Sequence, residues 1–377
     1  MVISQKISGS LIGFFSNLVK THGGINLAQG IPGFQPPKEL IEILSKTICE
    51  DFHQYAPGLG NLKLRNEILK MYQEVNAETS LFVTNGATEA ISLIYTYLNN
   101  KLKSKLNVLA FSPAYESYIH LPKIFGNNFY SVSTKTNSYF DKDELLKSIS
   151  QNKIKLIFLA SPGNPYGKIL TKDEFDFLIN ICNTNKIFLI IDAVYKDLYL
   201  TEGKPYYPTD KISEYIFYVN SFSKKFSITG WRIGYFFCHN SHVEQISYIH
   251  DYIGLSSPAP FQEALARYLE AGNTQNYIDE IKNVIFDNMA FAENLLNANN
   301  FNCLPTDGGY FIWAKLPANF NDGLQFGLDL YEKHQTAIIP GQHFGEEWKQ
   351  YIRINIAREK EEFDKGIKNI IKFVQNS

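Results

Sequence analysis

Residues 187–195 read IFLIIDAVY, five apolar side chains in an unbroken row ended by an aspartate. A strand with one wet face would alternate. An unbroken row predicts a strand buried on both faces, as in a parallel sheet covered by helices. The theme recurs along the chain: Leu81-Phe-Val83 runs into TNGATEA, Asn107-Val-Leu-Ala-Phe111 into SPAYES, Ile154-Lys-Leu-Ile-Phe-Leu-Ala160 into SPGNPYG, and Tyr215-Ile-Phe-Tyr-Val219 into NSFSKK. Helical patterns lie between several of these runs, such as Thr88 to Leu98 and Lys172 to Thr184. The second opens on Thr171 as N-cap with Glu174 three residues on, the spacing of a capping box. This alternation predicts an α/β fold, a large domain with a mostly parallel central sheet covered by helices. Ligands of such sheets sit beyond the carboxyl ends of the strands, where all the polar clusters fall.

After Gly272 the pattern changes to a long helical stretch, Asn276 to about Leu296, then short strands around Tyr310-Phe-Ile-Trp313 and Tyr351-Ile-Arg-Ile-Asn-Ile356. A smaller α+β domain is expected, with the large domain over residues 46–284 and an N-terminal arm plus small domain over 1–45 and 285–377. The opening MVISQKISGSLIGFFSNLVK reads as an arm or short amphipathic helix, without the features of a secretory signal. A length of 377 residues suits two or three domains. Hydrophobic content of 45%, 20% charged residues and a net charge of -2 describe a soluble globular protein and argue against a nucleic-acid surface. Cys49, Cys182, Cys238 and Cys303 stand far apart, and the eight histidines show no ligand spacing. Neither a disulfide framework nor a metal site is indicated. No run reaches the roughly 18 apolar residues of a membrane span. A reducing, cytoplasmic setting is expected.

The polar clusters hold the candidate chemistry. Lys224-Lys225 alone reads as a wet loop, because lysine is rarely buried without a partner. Its place after a buried strand and before Gly230-Trp231-Arg232 admits an active amine. A lone carboxylate such as Asp192 at the end of a buried strand is costly unless a cation or donors meet it. It either caps a helix or serves as counter-ion to a protonated ring nitrogen, as pyridoxal phosphate (PLP) would require. Tyr195 shares that site or belongs to the core. The NGATEA turn opens a helix whose free N–H groups suit a phosphate, though such turns are often plain helix starts. Ser221 and Arg232 would add a hydroxyl and a fixed charge to the same anion. Asn164 either bonds a ring substituent or holds its proline-rich turn, which composition favours. Tyr115 could stack on a flat ring. Arg353 alternates with Ile352 and Ile354, so a surface ion pair is the plainer reading until a carboxylate ligand is proposed.

The segments GINLAQGIPGF, HQYAPGLGNLKLR, VTNGATEAI, SPAYESY, SPGNPYG, IDAVY, SFSKKFSITGWRIGY and YIRINIA follow one another over residues 24 to 357. In order and spacing they resemble the class I/II aminotransferases of PLP fold type I, with the methionine and kynurenine/glutamine branch nearest in look. The resemblance implies that Lys224, in Ser221-x-x-Lys224 with Arg232 eight residues on, joins the cofactor covalently, and that Lys225 points elsewhere. It further implies that Asp192 holds the pyridinium N–H, that Asn164 and Tyr195 hold the ring hydroxyl oxygen, and that Tyr115 stacks on the ring. Ser221, Arg232 and the Gly86-Ala87-Thr88 turn would bind phosphate, and Tyr55 would reach the phosphate of the neighbouring subunit of a homodimer. Gly30 and Asn164 would line the substrate pocket, and Arg353 would grip the α-carboxylate. Ala193 stands where many relatives have Glu, and Gly163 where many have His; neither position is expected to touch the cofactor.

The implied function is transfer of the amino group of a neutral or aromatic amino acid to a 2-oxo acid by a ping-pong mechanism. The donor would be of methionine, phenylalanine, tyrosine, kynurenine or glutamine type. The freed Lys224 amine would move the substrate Cα proton. Phe14, Phe15, Phe34 and Tyr55 are expected to supply aromatic walls, and the stretch His250 to Phe261 carries no Lys or Arg for a second carboxylate. The alternatives are a carbon–sulfur β-lyase on the same fold and a non-enzymatic PLP-binding regulator, which would need a DNA-binding module. No membrane or nucleic-acid partner is expected.

Overall fold

A computed structural model of the chain, describing residues 9–376, gathers all five buried rows into one seven-stranded sheet. The spatial order is Thr79–Thr84, Gly234–His239, Ile216–Ser221, Phe188–Asp192, Leu156–Ala160, Asn107–Ser112 and Asn128–Ser133. Only Gly234–His239 runs antiparallel to its neighbours. Successive side chains of a strand point to opposite faces, and the cores follow that rule. Ile157, Leu159, Leu189 and Ile191 join the core on one face, and Phe158, Ile190 and Phe217 the core on the other. Each such side chain contributes about 1.5–3 kcal/mol when fully buried, so the unbroken rows hold two helical layers onto one sheet. The helix Lys172–Asn185 begins as its sequence predicts: Thr171 Oγ1 accepts from Glu174 N, and Glu174 Oε2 accepts from Thr171 N.

A second, four-stranded antiparallel sheet has the order Ile339–Pro340, Tyr351–Asn355, Phe311–Lys315 and Asn302–Cys303. The expected boundary between residues 284 and 285 lies inside one continuous helix, Thr274–Ala298. Its Ile278 packs into the core of the large sheet, while Ile281, Ile285 and Met289 pack into that of the small one. The N-terminal patch forms the helix Leu11–His22, with Phe14, Phe15 and Leu18 buried beside Trp313 and Tyr331. The part of the expected arm before residue 9 lies outside the described residues. Strand Ile25–Asn26 then pairs in parallel with Thr336–Ala337, which delivers Gln29-Gly30-Ile31 to the rim of the large sheet. Among the described residues, no helix is long and apolar enough to cross a membrane.

Candidate active site

Three strands of the large sheet end on the wall of a cavity of about 300 Å³, through Ala160, Asp192 and Ser221. The cavity therefore lies beyond their carboxyl ends. Its lining includes Gly30, Ala87, Thr88, Tyr115, Asn164 and Tyr195, together with Lys224, Arg232 and Arg353. Gly86 sits just behind. Its φ of +79° suits glycine, and a Cβ there would stand 2.6 Å from Arg232 Nη2, so the close approach of the guanidinium requires a residue without a side chain. Tyr55 is not brought into this cavity; it is 83% exposed.

Asp192 ends the central strand and is 6% exposed. Tyr118 Oη donates to its Oδ2 at 2.6 Å, and Val194 N to its Oδ1 at 3.2 Å. No helix follows, so the helix-cap reading falls. Burial pushes the Asp192 pKa up, against the pull of Tyr118, Val194 N and the charge of Lys224. Among the described residues it forms no ion pair, which leaves a buried carboxylate facing open space.

The wet-loop reading of Lys224-Lys225 also falls. Ser221 caps a single helical turn, Phe222–Lys225, by accepting from Ser223 N at 3.1 Å. That turn points the two amines apart. Lys224 Nζ donates to Gly30 O at 2.6 Å and lies 5.8 Å from the centre of the Tyr195 ring. Burial, then the charges of Arg353 and Arg232, lower its pKa to about 8 against the attraction of Asp192. Lys225, 6% exposed, pairs instead with Asp197 Oδ2 at 3.2 Å. Asp197 also binds Lys196 at 3.0 Å, and the two ammonium groups hold its carboxyl well below the usual range despite burial. The second lysine is a strut between the turn after Asp192 and the turn that carries Lys224.

Arg232 adopts a left-handed φ of 59° and donates to Thr229 O and Asn85 O, each at 3.0 Å. It lies against the start of the helix Gly86–Leu102, where the Asn85 side chain makes no cap. The first N–H groups of that helix remain available to an anion beside a fixed cation.

The surface ion-pair reading of Arg353 is overturned, because the residue is 0% exposed. Strand alternation does turn it away from Ile352 and Ile354, yet that face is covered by Ala28 of the N-terminal segment, by Asn164 and by the rings of Phe311 and Phe344 rather than by water. Nη1 donates to Asn164 Oδ1 at 2.9 Å and Nη2 to Ala28 O at 2.5 Å, with the guanidinium 4.3 Å from the Phe311 ring centre. Its Nε has no partner among the described residues, and burial lowers its pKa to about 10. Asn164, read by composition as a turn holder, serves as a partner of this cation. Tyr195 packs edge-on against Tyr310 and Phe311.

Of the aromatic residues expected to wall the cavity, Phe14, Phe15 and Phe34 do not line it. Phe14 and Phe15 turn into a core because their helix is amphipathic and its apolar face meets Trp313. Phe34 packs on the small sheet's core, and no residue of the 250–261 stretch lines the cavity. Ile12, Ile31 and Tyr118 line it instead. Tyr118 and Glu116 are residues that sequence reasoning passed over. Tyr115-x-x-Tyr118 has the spacing of one helix face, a signal that could have pointed to the first.

The residues fit PLP. A buried carboxylate without an ion pair answers a ring N–H, an uncapped helix start with Arg232 answers a phosphate, and a lysine with a lowered pKa lines the same cavity. The family model described as "Aminotransferase class I and II" matches residues 22–370. The chain is 26% identical over 370 residues to an aspartate aminotransferase of Pyrococcus horikoshii, covering 96% of this chain and 93% of that one. It is 27% identical over 333 residues to the methionine aminotransferase of Escherichia coli, covering 86% and 85%. A solved Escherichia coli structure with a methionine aminotransferase function superposes with a TM-score of 0.85 at 25% identity, over 99% of this chain and 100% of that one.

Proposed function

Because the chain belongs to the class I and II aminotransferases, and so is a PLP-dependent transaminase of fold type I, we propose that it transfers the amino group of a neutral or aromatic amino acid to a 2-oxo acid. PLP, when bound, supplies an electron sink for negative charge developing at the substrate Cα. In this reading the Gly86-Ala87-Thr88 turn, Ser221 and Arg232 hold its phosphate, Asp192 its ring nitrogen, Asn164 and Tyr195 its ring hydroxyl oxygen, and Tyr115 its face. Arg353 offers the substrate α-carboxylate a planar, multi-donor fork in a dry setting, which fixes the orientation of the Cα–H bond. Lys224 Nζ, its pKa lowered to about 8, takes the Cα proton, since an amine that is partly neutral at working pH is a competent base. As a carboxylate beside the ring nitrogen, Asp192 would keep a proton on that atom.

The observation that carries this reading is the assignment of the cavity's cations. Among the described residues, Lys224, Arg232 and Arg353 are the Lys and Arg residues that line it, and each already has a task. A second carboxylate on the substrate would enter a buried site with no cation left to pair with, at a cost of several kcal/mol. Relatives at this identity act on aspartate or on methionine, so the family leaves the choice open and the cavity supports the neutral class. Measuring kcat/KM for methionine, phenylalanine, kynurenine, glutamine and aspartate with one 2-oxo acid acceptor tests it. Neutral donors are expected to exceed aspartate at least about tenfold, or about 1.4 kcal/mol; aspartate as best donor refutes the reading. The same proposal includes a homodimer in which Tyr55, exposed on one chain, completes the partner's phosphate site. It also keeps a large domain over 46–284, with the arm and small domain made of the remaining segments.

A further inference from the structure

Once the cofactor and α-carboxylate contacts are assigned, one ionisable group of the cavity wall has no task. Glu116 follows Tyr115 at the start of the helix Glu116–Ile124 and lines the cavity beside Ile12 and Gln29. It also lines an adjoining cavity of about 680 Å³, formed with Ser112, His120 and Glu347 among others. Glu116 thus stands where the two spaces meet, with its side chain 23% exposed. Two distant parts of the chain converge on it. Ser10 Oγ donates to Oε2 at 2.7 Å, and His343 Nε2 approaches the same oxygen at 3.2 Å. Among the described residues no hydrogen bond reaches Oε1.

We propose that the Glu116 carboxylate is a specificity-determining group that repels a second carboxylate on the substrate and accepts a hydrogen bond from a neutral side chain ending in a donor. This inference rests on the neutral-donor reading above and names a residue that enforces it. Glu116 is ionised at neutral pH: burial pushes its pKa up, but His343 and the Ser10 hydroxyl pull it below the ordinary value. It lies close enough to Arg353 for the two charges to stabilise one another. A monocarboxylate substrate held by Arg353 therefore meets one fixed negative charge beyond its Cα. A dicarboxylate would bring a like charge toward that group in a partly desolvated space, where repulsion is screened less than in water. An amide, phenol or aromatic amine would instead present a donor to Oε1. Specificity here comes from a repulsive element as well as from the lack of a cation.

The test uses the holoenzyme and two unreactive ligands, maleate as dicarboxylate and 3-phenylpropanoate as monocarboxylate, with binding measured by calorimetry. Glu116→Gln keeps the shape and an acceptor for Ser10 while removing the charge; Glu116→Met takes its place if that variant does not fold. Either is expected to tighten maleate about tenfold relative to 3-phenylpropanoate, with a matching rise in kcat/KM for aspartate relative to phenylalanine. Ser10→Ala, which loosens the N-terminal helix but retains the carboxylate, is expected to keep the wild-type ratio. An unchanged ratio in the charge-removed variant, or an equal change in Ser10→Ala, overturns the assignment of Glu116 while leaving the neutral-donor reading intact. A wild-type enzyme that already prefers maleate and aspartate overturns both.

Discussion

Replacing Lys224 by methionine removes the amine and keeps an unbranched side chain, and the cofactor-free variant is expected to be more stable than wild type at neutral pH. Lys224 loses its proton near pH 8 in the fold against 10.5 for an ordinary lysine. At about 1.4 kcal/mol per pH unit, the charged amine is disfavoured by roughly 3 kcal/mol. Lys224 opens onto the cavity, and water there screens part of this, leaving about 2 kcal/mol. Losing the bond to Gly30 O offsets about 1 kcal/mol, and that oxygen keeps Tyr310 Oη as a donor at 3.1 Å. The net gain is about 1 kcal/mol, a rise in Tm of about 1–2 °C for a chain of this length. The sign with pH follows from linkage. The pKa is depressed in the fold, so the penalty is fully present below pH 8, shrinks as pH rises towards 10.5, and is absent above it. Calorimetry of cofactor-stripped proteins between pH 7 and 9.5 should find the two melting temperatures converging. Adding PLP should reverse the ranking, because on the proposed assignment only wild type binds it covalently. A Lys224→Met protein less stable at pH 7, or a gap that widens with pH, refutes the electrostatic account of this lysine.

Asp197→Asn leaves the Lys196 and Lys225 ammonium groups buried without an anion and is expected to cost about 3–5 kcal/mol, read by urea denaturation; a loss under 1 kcal/mol would mean that the strut is not a strut. Tyr118→Phe removes the donor that lowers the Asp192 pKa. The acidic limb of the kcat profile should move to higher pH and kcat should fall about tenfold, the scale of a lost charge-assisted hydrogen bond; an unmoved limb contradicts the role given to Tyr118. Sedimentation should show a dimer, and Tyr55→Phe should weaken PLP retention with little change in Tm; an active monomer excludes the shared site.

Much of this architecture was legible in the sequence because its strongest signals are local. Unbroken apolar rows mark buried parallel strands, and the Thr171 capping box starts its helix where the spacing places it. The polar clusters after those rows meet in one cavity because strand ends of a parallel sheet share an edge. What was not legible depends on tertiary covering. The alternation around Arg353 gives its face but not that a second layer buries it. Phe14 and Phe15 are apolar, yet only the docked helix decides that they fill a core and leave Ile12 at the cavity. The expected boundary at residue 284 falls within a helix because one long helix serves two cores, and nothing in its periodicity marks the handover. Glu116 gave no signal, since a glutamate at a helix start is ordinarily an N-terminal charge, and its place between two cavities is set by Ser10 and His343 from distant parts of the chain.

The most direct test asks which amine carries the cofactor. Borohydride reduction of the PLP-loaded enzyme, followed by proteolysis and mass mapping of the peptide spanning residues 220–235, should place the reduced adduct on Lys224. An adduct on Lys225, or none on this peptide, would contradict the assignment on which the site is built.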